Sequence, residues 1–184
     1  MSDLTRCLLD KVTARRMVEG LLGLAEGREI SEEELLALDL YERASAQGIR
    51  LFIVLPSESV LRRLAGLPRY SAVVQLVLNR TEAALPARCF KRWARRLRDY
   101  FTREDAAVLA LATFGTSKDT DVLGMHFVAT FDQPLINRWS LQQNEIEGRL
   151  DAMRRDLRPP YDRVTLPQVL RPEAILPSGE EENQ

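Results

Sequence analysis

Histidine and cysteine are nearly missing from this chain. It has one histidine, His126, and two cysteines, Cys7 and Cys89. Two cysteines build no disulfide framework. With a single histidine they are also too few for a zinc site of the usual nitrogen–sulfur type. A serine–histidine or cysteine–histidine nucleophile pair would have to use His126, and no serine or cysteine sits in a recognisable nucleophile motif. A glycine-rich phosphate loop is lacking, which leaves little support for nucleotide binding. No apolar run approaches the roughly 20 residues that span a bilayer. The start, MSDLTRCLLD, lacks the basic and apolar segments of a secretory signal. A cytoplasmic protein with reduced cysteines and no membrane partner is expected. Excess positive charge is absent too: the formal net charge is -1 and the pI about 6.0. That disfavours a globally basic nucleic-acid binder but leaves room for a local basic patch.

Apolar and acidic residues are plentiful. Of 184 residues, 45% are hydrophobic, and Asp and Glu number 27. This suits one domain with a sizeable core over residues 1–176. The acidic tail 177–184, PSGEEENQ, has no apolar residues to pack and is expected to be disordered. With so few nitrogen and sulfur donors, any metal chemistry must use oxygen ligands.

Strand and helix signals alternate. Residues 6–9 read as a buried strand ending at Asp10. Residues 12–25 carry Met17, Leu21 and Leu24 at helical spacing, and Gly27 stops the helix. Ser31 and Glu34 have capping-box spacing ahead of a helix to about Gln47. Residues 49–55, IRLFIVL, are a run of apolar residues broken only by Arg50, the pattern of a strand buried on both faces. Short helices are expected over 57–64 and 70–78, a basic helix from Pro86 to about Tyr100, and a helix over 105–114 capped by Thr102. A third strand over 126–131 ends at Asp132, a long helix covers 134–157, and a last strand covers 163–166. This order predicts an α/β fold, a three-layer sandwich around a central, mostly parallel sheet.

In such sheets ligands gather beyond the carboxyl ends of the strands. Asp10 and Asp132 both close strands there, and Asp105 sits in the first turn of a helix that can reach the same edge. Converging carboxylates repel unless a cation lies between them, and Mg²⁺ or Mn²⁺ prefers such oxygen ligands. Such an ion clamps phosphate oxygens and lowers the pKa of water, the basis of hydrolytic phosphodiester cleavage. Asp121 is a candidate accessory ligand. Thr130 and Ser57 are candidates to hydrogen-bond the carboxylates, Thr130 because it lies two residues before Asp132 and faces the same side of its strand. Each aspartate has a second reading: Asp10, Asp105 (in Thr-x-x-Asp spacing with Thr102) and Asp132 can all serve as helix-start residues.

The pattern resembles a PIN domain, a family of metal-dependent nucleases. The resemblance rests on Cys7-Leu8-Leu9-Asp10, on FTREDAAVLALATFG (residues 101–115), on FVATFDQPL (127–135) and on LPQVLRPEAIL (166–176), where it places the last strand and a proline-led turn. It implies a Mg²⁺- or Mn²⁺-dependent ribonuclease with Asp10, Asp105 and Asp132 as catalytic and metal-holding residues. It also implies RNA as substrate, a homodimer, and for many members an antitoxin partner. Two places depart from the family pattern. Lys11 and Val12 stand where threonine and asparagine are usual. Arg62 or Arg63 stands where an active member carries glutamate, with Glu58 about a turn earlier as the available substitute ligand. An impaired member that binds RNA or protein is therefore the alternative.

The basic helix carries Arg88, Lys91, Arg92, Arg95, Arg96 and Arg98 around an apolar face of Phe90, Trp93 and Leu97. One reading is a nucleic-acid backbone contact using Arg88, Arg92, Arg95 and Arg96, with Lys11 as a further phosphate contact. The other is a solvated face, or one paired with the acidic helix of residues 31–42. His126 reads as structural, and Trp93 and Trp139 as core or interface anchors.

Overall fold

The computed structural model describes residues 4–115 and 122–176. Asp121 and the acidic tail 177–184 lie outside the described residues. Five strands form one all-parallel sheet in the order β3-β2-β1-β4-β5. They are β1 (Thr5–Leu9), β2 (Ile49–Val54), β3 (Thr81–Ala84), β4 (Phe127–Ala129) and β5 (Gln168–Leu170). The helices are α1 (Lys11–Glu26), α2 (Glu32–Ala46), α3 (Leu55–Leu64), α4 (Pro68–Arg80), α5 (Phe90–Leu97), α6 (Arg103–Phe114), α7 (Gln133–Arg154) and the short α8 (Pro172–Ile175).

The side-chain alternation of the strands sorts the helices into two layers. Cys7, Leu9, Leu51, Ile53 and Ala129 point into a core shared with α1 to α4 and α8. Leu8, Phe52, Val54, Val128 and Val169 point into the opposite core with α5, α6 and α7. The three-layer sandwich follows directly. The inner stretch of β2, Leu51 to Val54, is buried on both faces, which is why it is apolar in succession and lacks the usual polar alternation.

From β1 the chain steps outward to β2 and β3, then returns to lay β4 and β5 on the other side of β1. The direction of winding therefore reverses between β1 and β4. Crevices at such switch points, beyond the strands' carboxyl ends, are the ligand sites of doubly wound sheets.

Several element boundaries differ from expectation. The last strand is Gln168–Leu170, inside the 166–176 segment and not at 163–166. Residues Tyr161–Arg163 make a 3₁₀ turn, and the Val164 carbonyl accepts from Arg154 Nη1 at 2.7 Å, so it is occupied outside the sheet. The basic helix begins at Phe90, not Pro86. Ala87 N–H instead donates to the Phe114 carbonyl at 2.8 Å, and the chain turns through Cys89 at φ 75° before winding. The edge strand β3, TEAA, carries no strand signal of its own; Glu and Ala are depleted in strands. Its pairing to β2 imposes the conformation. Ser31 and Glu34 form the expected capping box, with both reciprocal bonds present.

Candidate functional site

Asp10 leaves β1 and opens α1 as its N-cap, and Asp132 opens α7 just beyond β4. Both therefore stand at the β1/β4 switch point. Asp10 Oδ1 accepts the Thr13 N–H at 2.6 Å, and Oδ2 accepts the Thr130 hydroxyl at 2.5 Å. The Thr130 Oγ1 in turn accepts the backbone N–H of Asp132 at 3.0 Å. One fully buried threonine thus ties the two aspartates together. Asp132 Oδ1 accepts the Leu135 N–H at 3.0 Å, closing the first turn of α7. The Asp10 N–H donates to the Ala129 carbonyl at 3.1 Å, which holds the strand ends in register.

Burial pushes the Asp10 carboxyl above the ordinary carboxylate range. Hydrogen bonds from Thr130 and Thr13 pull it back, and the negative charge of Asp132 raises it further. The half-buried Asp10 carboxyl is thus reluctant to ionise, first through burial and in smaller part through the Asp132 charge.

Asp105 is placed differently. Its Oδ2 accepts the Thr102 hydroxyl at 2.7 Å, and its N–H donates to the same oxygen at 3.2 Å, a cap at the start of α6. The neighbouring Glu104 is the residue that reaches the α1 start, where it accepts from Lys11 Nζ at 2.7 Å. Among the described residues no three His, Cys, Asp or Glu side chains converge as a metal-holding group. The structure brings Asp10 and Asp132 together and does not gather Asp105 with them. The available donors are all hard oxygens. Mg²⁺ commonly takes one or two carboxylates and completes its shell with water, so the pair Asp10 and Asp132 fits such an ion, whereas a three-carboxylate cage is not assembled.

Other expected site residues take other partners. Glu58 is held by Arg62 at 2.6 Å. Both line a groove of about 340 Å³ beside β3 with Thr81 and Glu82. Ser57 is buried, and its hydroxyl has no hydrogen-bond partner among the described residues, so it bonds neither Asp10 nor Asp132. His126 Nδ1 accepts the Arg6 N–H at 3.0 Å at the opposite end of β1, a structural role. Trp93 is fully buried and its Nε1–H donates to Thr113 Oγ1 at 3.2 Å.

The basic helix α5 has its own surroundings. Together with the first turn of α6 it lines a cleft of about 760 Å³. Phe90, Ala94 and Ala107 give the cleft apolar walls; Lys91, Arg95, Arg98 and Arg103 surround them. None of these four cations, nor Arg88 or Arg92, forms an ion pair among the described residues. Elsewhere arginines are paired: Arg16 with Glu33, Arg28 with Glu34, Arg50 with Glu82, Arg69 with Glu26. Glu33 and Glu34 of the acidic helix α2 thus pair with Arg16 and Arg28, Asp39 pairs with Arg43 of α2 itself, and among the described residues no carboxylate of α2 pairs with α5. Arg96 is the exception on α5: it is half-buried and donates to the Arg149 carbonyl at 3.4 Å. Glu104 was not singled out from sequence. Among the described residues it is the one carboxylate lining the cleft, and the signal that marks it is a contact with a residue 93 positions away.

The chain matches no family model, no curated protein and no solved structure.

Proposed function

We propose that this protein is a PIN-like, Mg²⁺- or Mn²⁺-dependent nuclease that acts on RNA. The observation that carries the reading is the Asp10–Thr130–Asp132 network at the switch point of the sheet. A buried threonine that donates to the Asp10 carboxylate and accepts the Asp132 backbone N–H links the two aspartates at the sheet edge beyond what two separate helix caps require. When bound, a divalent cation would clamp phosphate oxygens there and lower the pKa of a nearby water. Asp10 and Asp132 would hold it. Thr130 fixes the direction of Asp10 Oδ2, in the way that residues behind a ligand orient it. The unpaired cations of the α5–α6 cleft would hold the RNA backbone by charge and counterion release. Its apolar walls suit an unstacked base beside that backbone.

A second reading keeps the RNA contact and drops the hydrolysis. The specific observation in its favour is that Asp10 and Asp132 each accept a backbone N–H in a helix-start turn, that Asp105 accepts the hydroxyl of the Thr102 that caps its own N–H, and that Glu58 is neutralised by Arg62. In that reading Asp105 acts through Thr102 at the helix start and supplies no ligand.

One experiment separates the two. Labelled single-stranded RNA is incubated with Mn²⁺ and wild type or the Asp10→Asn variant, alongside a calorimetric Mn²⁺ titration of both. The nuclease reading expects cleavage and Mn²⁺ binding by wild type and loss of both in the variant. Equal cleavage by the two proteins, or none by either, defeats it; salt-sensitive RNA binding without Mn²⁺ binding supports the second reading.

A further inference from the structure

Lys11 and Glu104 meet at the junction between the two halves of the candidate site. Lys11 directly follows Asp10 and begins α1; Glu104 lies in the first turn of α6. Their Nζ and Oε1 atoms are 2.7 Å apart, with both side chains 68% exposed. Glu104 lines the cation-walled cleft of about 760 Å³. It also lines an adjoining groove of about 250 Å³, in which it meets Lys11, Ser57 and Phe90. The one carboxylate that lines the cleft among the described residues is thus engaged with the cation that follows Asp10 in sequence.

An exposed ion pair of this kind is weak and easily exchanged, because water screens both charges. A phosphate is the natural competitor. It offers Lys11 the same charge-assisted bond, and it is drawn to the cleft by four unpaired cations that Glu104 itself opposes. We infer that Glu104 and Lys11 form a latch: RNA phosphate displaces Glu104 from Lys11, and Lys11 becomes a phosphate contact only when the cleft is filled. The inference rests on the proposed RNA reading. It makes Glu104 a residue that sets the affinity of the cleft and Lys11 a conditional ligand that leads the backbone from the cleft toward Asp10.

The test uses the full chain and a fluorescein-labelled oligouridine of about 12 nucleotides, the order of a single-strand site. Anisotropy titrations are run in EDTA, so that no probe is hydrolysed, over a series of salt concentrations. Both side chains are largely exposed, so Glu104→Gln, Lys11→Gln and their combination are expected to fold, which circular dichroism checks. Glu104→Gln is expected to bind about 3- to 10-fold more tightly. Its slope of log affinity against log salt is expected to steepen by about 0.7, the value of one single-strand phosphate contact, because no freed carboxylate takes a cation back. Adding Lys11→Gln is expected to return both values to about those of wild type. If Glu104→Gln leaves affinity and slope unchanged while Arg95→Gln weakens binding, the latch is wrong and the cleft reading stands. If the double variant keeps the whole gain, Glu104 acts by repulsion alone and the latch is wrong. If wild type does not bind the probe, both the latch and the RNA reading fall.

Discussion

The link between Asp10 and Thr130 makes a sharp prediction about Thr130→Val. Valine keeps the branched shape in a site with no solvent exposure and removes the hydroxyl. Two interactions go with it: the 2.5 Å donation to Asp10 Oδ2 and the 3.0 Å acceptance from the Asp132 N–H. A hydrogen bond to a charged group contributes about 1.5–3 kcal/mol. The second loss, a neutral part-buried bond, contributes the smaller share. The variant should therefore be about 2 kcal/mol less stable at pH 7. With a urea slope of about 2 kcal/mol/M its unfolding midpoint should fall by about 1 M. The pH dependence has a definite sign. Burial raises the folded-state pKa of Asp10, so ionising it costs stability. That cost is absent below the unfolded carboxylate pKa of about 3.9, grows as pH rises through the folded value, and is constant above it. Thr130 is the largest of the influences holding that pKa down. Without it the pKa climbs further, and the deficit of the variant must widen as pH rises from about 4. Urea titrations at pH 4 and pH 7 measure this. A loss below about 0.5 kcal/mol at pH 7, well short of a charged hydrogen bond, or the same loss at both pH values, would refute the reasoning.

Three further outcomes follow from the layer that carries α1 and α2. Glu34 is bonded to Arg28 at 2.6 Å and to the Ser31 N–H at 2.6 Å, and chiefly through Arg28 its pKa is lowered to about 2. Its contribution is full above the unfolded value of about 4.3 and is lost as pH falls toward about 2; Glu34→Gln should remove that acid loss, and parallel melting profiles for the two proteins from pH 5 to about 2.5 would contradict it. Ser31→Ala removes the hydroxyl that accepts the Glu34 N–H, and denaturant titration should show a loss of about 1 kcal/mol. Gly20→Ala would set a Cβ 2.9 Å from Leu38 and 3.2 Å from the Glu34 carbonyl, so the α1–α2 contact should open at a cost of about 1–3 kcal/mol despite the better helix propensity of alanine; a stabilised variant in thermal melts would overturn this.

The architecture was legible because its signals are local. The apolar run of residues 49–55, the capping box of Ser31 and Glu34, and the Trp139, Ile146, Leu150 and Met153 stripe of α7 each report a short-range rule. What was misplaced depends on distant partners. Thr81–Ala84 is a strand only because β2 supplies its ladder. Residues near Val164 look like a strand, yet Arg154 takes the carbonyl there, and the ladder to β4 forms at Gln168–Leu170. Pro86 opens no helix because the Ala87 N–H is bound to Phe114.

The candidate site divides in the same way. That Asp10 and Asp132 stand at strand ends, and that Thr130 faces them, could be read from spacing alone, since a period of two puts Thr130 and Asp132 on one side. Whether the three aspartates converge could not, because the short polar side chain that caps a helix is also the one that binds a hard cation, and both uses favour the same position. Only the winding of the sheet distinguishes them. It sets β4 beside β1, so that Asp132 meets Asp10 through one hydroxyl, and leaves Asp105 bonded to Thr102 on α6. The charge pattern is nonlocal for the same reason. A run of arginines reads identically whether it is neutralised or not. Here α2 is neutralised by Arg16, Arg28 and Arg43, which leaves the cations of α5 unpaired beside Glu104. A cation-lined cleft in a chain of net charge -1 is therefore a consequence of how the other charges pair, not of how many there are.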